Sequence, residues 1–167
     1  DGQIFLETEL FNKNMRPAIN AGLSVSRVGS AAQTKAVKKV SGRIKLELAQ
    51  FRDLEAFMQF SQDLDADTKK RIDAGQRLMA TLKQKNNAPL AFEEVAISIY
   101  AAVNGYLAKV SVDRVPEFEE KLLTFLESDA KDVLKAIRDS RDVAPETEEK
   151  LKAALQKFTE THPTLFK

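Results

Sequence analysis

The chain has no cysteine at all, and only one histidine among its 167 residues. Without cysteine there is no disulfide and no thiolate metal site. His162 has no second imidazole to work with, so a zinc site is excluded and the residue reads as a free side chain near the tail. Long hydrophobic runs are missing too: nothing approaches the ~18 apolar residues that a spanning helix needs. The chain opens Asp1-Gly2-Gln3, without the Met and basic stretch of a signal peptide, as expected of a processed chain or a piece of a longer one. Neither charge dominates, with 26 Lys plus Arg against 25 Asp plus Glu, so no net field draws the whole chain to nucleic acid or anionic lipid. The phosphate-cradling pattern G-x-x-x-x-G-K-[ST] does not occur, and no nucleophile elbow supports a Ser-His-Asp centre.

What is present describes an ordinary globular domain, 43% apolar and 31% charged, long enough to bury a core. Gln3 to Phe11 reads as an extended segment rich in Phe and Ile. Residues 21–30, A-G-L-S-V-S-R-V-G-S, read as a loop where the backbone approaches something closely. A lone strand beside such a loop cannot satisfy its own edges, and calls for a sheet outside these residues. From Ala31 onward the pattern is helical. Val37, Val40, Ile44, Leu48, Phe51 and Met58 keep three- and four-residue spacing. Asp65 is placed to cap a second helix bearing Ile72, Met79 and Leu82. Phe92, Val95, Ile99, Val103 and Tyr106 predict a third helix, ending near Gly105. Val115, Phe118, Leu122 and Phe125 predict a fourth, and Ser128 an N-cap for a short fifth with Val133, Leu134 and Ile137. Pro145 belongs in the first turn of a sixth helix, whose buried stripe is Leu151, Leu155 and Phe158.

Carboxylates such as Asp63 with Asp65, or Glu93 with Glu94, read as solvated faces and caps rather than a catalytic pair. Lys35, Lys38, Lys39, Arg43 and Lys45 read as a solvated helix face. Arg27 stands apart, because an arginine among small residues on a Gly-flanked loop has little packing to do. Its planar guanidinium can fork onto phosphoryl oxygens.

Three stretches carry a specific resemblance: D-G-Q-I-F-L-E-T-E-L-F at 1–11, R-P-A-I-N-A-G-L-S-V-S-R-V-G-S-A-A-Q at 16–33, and K-L-E-L-A-Q-F-R-D-L-E-A-F at 45–57. Together they resemble the alpha subunits of F-type rotary ATP synthases, over the C-terminal third. The likeness continues through F-S-Q-D-L-D at 60–65 and I-Y-A-A-V-N-G-Y-L at 99–107, then thins from about Ser111. The acidic D-E-L-S-E-E-D-type segment of the catalytic beta subunit is not found.

The resemblance implies a mainly α chain: residues 1–32 as the last strand and arginine loop of an α/β P-loop-type nucleotide-binding domain, and 33–167 as a C-terminal helical bundle. It makes Arg27 an arginine finger, acting in trans in the catalytic site of a neighbouring beta subunit. Phe11, Arg16, Pro17, Gln84 and Asn86 match the adenine end of a non-catalytic nucleotide site for ATP or ADP. Asn86 stands where relatives commonly carry Gln, and ligands for phosphate and Mg2+ are expected upstream. Phe60, Ser61, Gln62, Asp63, Leu64 and Asp65 match the turn facing the gamma central stalk. The implied setting is an alternating alpha/beta hetero-hexamer with a delta or peripheral stalk. It lies peripheral to an energy-transducing membrane, on the cytoplasmic face in a bacterium or the matrix or stroma side in an organelle. A free-standing helical interaction domain, without catalysis, is the alternative.

Overall fold

The structure, a computed structural model, describes residues 1–58 and 65–166, the side chains of 57 and 58 excepted. The extended segment expected over 3–11 is instead three short pieces. β1 (Gly2–Gln3) pairs antiparallel with β2 (Val25–Ser26), an isolated bridge joins Leu6 to Ile19, and α1 (Thr8–Asn12) follows. Phe and Ile enrichment suggested a strand, yet Ile4 and Leu6 are exposed at 73% and 72%, while α1 tucks Leu10 inward. The strand does find a partner in this chain, inside the stretch that reads as a loop.

The long helical pattern after Ala31 is divided. A 3-10 turn at Gly29–Ala32 leads to α2 (Lys35–Ser41), whose cap residue Thr34 accepts from the Val37 N–H at 3.3 Å. Gly42, a poor helix former, sits at the junction with α3 (Ile44–Met58). The stretch 59–64, with the expected stalk-facing residues Phe60 to Leu64, and the side chain of Met58 lie outside the described residues.

Asp65 caps α4 (Ala66–Thr81) as its sequence position predicts, accepting from the Asp67 and Thr68 N–H groups at 3.0 and 2.9 Å. The Thr68 hydroxyl and these amides hold its carboxyl below the usual range. Asp65→Ala removes this cap and is expected to lower stability in denaturant unfolding. An unchanged midpoint would show that water replaces the carboxylate without loss.

α5 (Phe92–Val103) is buried on nearly every side, with Ala96 through Ala101 all buried, so it is the central helix of the bundle. It packs against α2 and α4, and it ends at Asn104 and Gly105, whose φ of +79° suits glycine. Around it lie α6 (Val115–Asp129), α7 (Lys131–Ser140) and α8 (Pro145–Thr161). Val115, Phe118, Leu122 and Phe125 of α6 and Leu151, Leu155 and Phe158 of α8 are buried as their spacing predicts. Phe118 meets Phe158 edge-on at 5.3 Å between centroids. Pro145 begins α8 at a position whose missing N–H has no partner to lose, and Glu146 and Glu148 follow in the first turn.

Four expectations give way to packing. Ser128 stays in the last turn of α6, donating to the Phe125 carbonyl, and Ala130 occupies the junction with α7. Glu93 is no solvated carboxylate: it is 2% exposed and accepts from Arg138 Nε at 2.5 Å. Lys39 leaves the basic face to donate to the Val143 carbonyl and to Glu148, both at 2.8 Å. His162 is not free, since its ring stacks on Phe158 at 4.4 Å and meets Phe125 edge-on. For Glu93 and Lys39 the partner is distant in sequence, which local spacing does not report; for Ser128 and His162 it lies one turn back on the same helix. No helix among the described residues is long and apolar enough to cross a membrane.

Candidate functional site

Two loops far apart in sequence meet to form a groove. The first follows α1 and carries Arg16 and Pro17, joined by a cis peptide bond. The second leaves α4 and carries Gln84 through Pro89, turning at Asn87 with φ of +55°. The Gln84 N–H donates to the Arg16 carbonyl at 2.9 Å, which ties the loops together. Arg16, Pro17, Gln84 and Asn86 line the resulting groove, which has a volume of about 510 Å³. Phe11 lies behind Arg16, its ring centroid 4.2 Å from the guanidinium carbon, a cation–π contact that helps hold the arginine in place. Asn14 accepts from the same guanidinium. The Gln84 amide is oriented by donating to the Ala88 carbonyl at 2.9 Å. All five residues assigned from sequence to one nucleotide site are thus neighbours around one groove.

Arg27 lies elsewhere, at the end of β2. Its N–H donates to the Asp1 carbonyl at 2.8 Å, and its Nη1 lies 3.1 Å from Asp1 Oδ1. The two side chains are 81% and 91% exposed, so the ion pair contributes only ~0–1 kcal/mol. Ser26 Oγ accepts from the Gly29 N–H at 3.0 Å, and Gly29 adopts a φ of +53° that any larger residue would strain. These two residues shape the turn that presents Arg27 to solvent. Asp65, the described member of the expected stalk-facing set, acts as a helix cap. Among the described residues no cluster of three or more His, Asp or Glu gathers as a metal ion would need.

A second cavity, of about 490 Å³, was not legible from sequence. It shares Arg16, Gln84, Lys85, Asn86 and Ala88 with the groove, but its floor is Ala80, Leu90, Pro116 and Leu123. The available signal was the spacing of Pro116, Glu119, Glu120 and Leu123, which sets them on one face of α6. Desolvation pushes the Glu119 carboxyl above its ordinary range.

The sign of the Glu119 effect follows directly. A carboxyl whose folded-state pKa is raised adds no penalty below the ordinary Glu value, and stability falls as pH rises from there to the folded value. Glu119→Gln is therefore expected to raise stability at neutral pH and leave it unchanged in acid, as measured by unfolding midpoints across that range. A variant that destabilises at every pH would mean that the carboxyl packs rather than titrates.

Comparison with known proteins agrees with this architecture. Residues 33–158 match the family model for the ATP synthase alpha/beta chain, C terminal domain. The chain is 54% identical over 158 residues, 95% of its length, to ATP synthase subunit alpha of Rickettsia bellii (strain OSU 85-389). It spans 31% of the length of that relative. A helical bundle behind a short sheet fragment, matched to that model along most of its length, means that the protein belongs to the family of C-terminal domains of ATP synthase alpha and beta subunits, and within it is similar to the C-terminal part of the alpha subunit.

Proposed function

We propose that the chain serves proton-driven ATP synthesis as the distal part of a non-catalytic alpha subunit. It lines a regulatory adenine-nucleotide site and donates Arg27 to a neighbouring catalytic site. The observation that carries this reading is the convergence of Arg16, Pro17, Gln84 and Asn86 on one groove, with Phe11 packed behind Arg16, in a chain 54% identical to an alpha subunit. An adenine edge presents both donors and acceptors, and the Gln84 and Asn86 amides offer both in return. The flat walls supplied by Pro17 and Arg16 suit a planar base. Phosphate and Mg2+ ligands belong to segments outside these residues.

Arg27 supports the second half of the reading. Its pairing with Asp1 is exposed and weak, so the guanidinium can turn to a phosphoryl group at little expense. There it would stabilise charge developing on the transferring group, with its fork matched to two oxygens. The partners that go with this role are beta subunits in an alternating hetero-hexamer, the gamma stalk near residues 60–65, and a delta or peripheral stalk. The assembly would sit peripherally on an energy-transducing membrane, on the cytoplasmic face in a bacterium.

The reading is tested by exchange. This chain is substituted for the corresponding segment of a characterised ATP synthase alpha subunit, and assembly and ATP turnover are measured. Assembly with beta subunits and turnover within a few-fold of the parent are expected. A chimera that folds but does not enter the hetero-hexamer would favour a free-standing interaction domain.

A further inference from the structure

We propose that the cavity between α4 and α6 binds a small organic anion, an apolar ring or short hydrocarbon bearing a carboxylate, whose body rests on Ala80, Leu90, Pro116 and Leu123 and whose head group meets Lys83 and Arg16. The inference does not rest on the nucleotide reading. The floor of this cavity, Ala80 of α4, Leu90, and Pro116 and Leu123 of α6, contributes nothing to the neighbouring groove.

The volume of about 490 Å³ lies in the range of small-molecule sites, as does the combination of an apolar floor with a few polar groups at its edge. Charge decides which head group fits. Arg16, Lys83 and Lys85 line the cavity against two carboxylates, Glu119 and Glu120. Lys85 is engaged with Glu120 at 3.2 Å, and both of those side chains are largely exposed. Arg16 lies over Phe11 and donates to Asn14, contacts that fix its position without neutralising it. Lys83 makes no ion pair among the described residues. A cationic ligand would face three cations; an anionic one finds two of them uncompensated.

Even with Glu119 charged, the cations lining the cavity outnumber its carboxylates by one. Behind Glu119 lies a void bounded by Thr81, Ser98, Leu107, Val115 and Phe118, with no room for a water molecule. The Ser98 hydroxyl is buried there and makes no hydrogen bond. A dry back wall disfavours the charged form of the Glu119 carboxyl.

The test is a titration of the 15N-labelled protein with naphthalene-2-carboxylate and, separately, with 2-naphthylmethylammonium, which keeps the ring and reverses the charge. Saturable amide shifts are expected at Ala80, Leu90 and Leu123 with the carboxylate, and at least about tenfold weaker binding of the ammonium. Lys83→Glu, an exposed change that leaves the core alone, should weaken the carboxylate about tenfold or more. The proposal is overturned by equal or tighter ammonium binding, by no response at Leu123, or by unchanged affinity in Lys83→Glu. It is also overturned by shifts confined to Gln84, Asn86 and Asn87, which would assign the probe to the groove, or to Ile4, Leu6 and Val25, which would mean surface adhesion.

Discussion

Arg27→Ala, placed in the assembled ATP synthase, is expected to leave assembly intact and to lower steady-state turnover by about 10³-fold or more, the scale seen for arginine fingers. The structural argument separates chemistry from stability. Arg27 is 81% exposed, and its one side-chain partner among the described residues is Asp1, itself 91% exposed. Truncation therefore strands no buried group, and the stability change should stay within about 0.5 kcal/mol. The backbone contact that anchors the turn, from the Arg27 N–H to the Asp1 carbonyl, is independent of the guanidinium. A large loss of turnover with an unchanged melting temperature would then report a charge missing from the reacting centre. Arg27→Lys keeps that charge but not the planar fork, so it should recover only part of the rate. Normal turnover in Arg27→Ala would remove the catalytic role, and failed assembly would make the residue an interface contact instead.

Gly75→Ala is expected to destabilise the protein by about 1–3 kcal/mol, as overpacking of a close helix contact does. A Cβ at this position would run into Phe51 Cδ2 and lie 2.5 Å from Cγ and 2.7 Å from Cβ of the same residue. The obstruction includes the root of the ring, which cannot swing aside as the tip of a long aliphatic group does. Relief requires α3 and α4 to separate. Opposing this is the better helix propensity of alanine, up to ~1 kcal/mol. The clash is the larger effect while Phe51 is present. With Phe51→Ala as background, the propensity gain remains alone, so Gly75→Ala should reverse sign and stabilise. Urea unfolding of the four members of this cycle measures the coupling directly. A stabilising Gly75→Ala in the parent protein would mean that the two helices are not packed this closely.

Neither residue announces the source of its effect in the same way. Arg27 is legible because its neighbours are small and it stands in the 16–33 stretch, one of the three that together carry the family likeness. Gly75 is silent, one glycine in an amphipathic stretch, and only the position of Phe51 on another helix gives it meaning. The groove falls between these cases. Its residues come from the resemblance, but nothing in their spacing says that the Arg16 and Gln84 loops are tied by a backbone hydrogen bond.

The sequence by itself determined the features that depend on neighbours a few residues away. These include the buried stripes of α6 and α8, the Asp65 cap, Pro145 at the start of its helix, and the family. Their physics is local: a 3.6-residue period, a carboxylate bonding amides two or three residues on, a fixed φ. The tertiary structure alone decided that β1 pairs with β2, that Glu93 is buried against Arg138, that His162 stacks on Phe158, and that α6 and the loop after α4 enclose a cavity. All but the His162 stack, which spans a single helical turn, join residues far apart in sequence, where a polar group is satisfied or an apolar one covered by a partner that only the fold brings near, and periodicity holds no record of such partners.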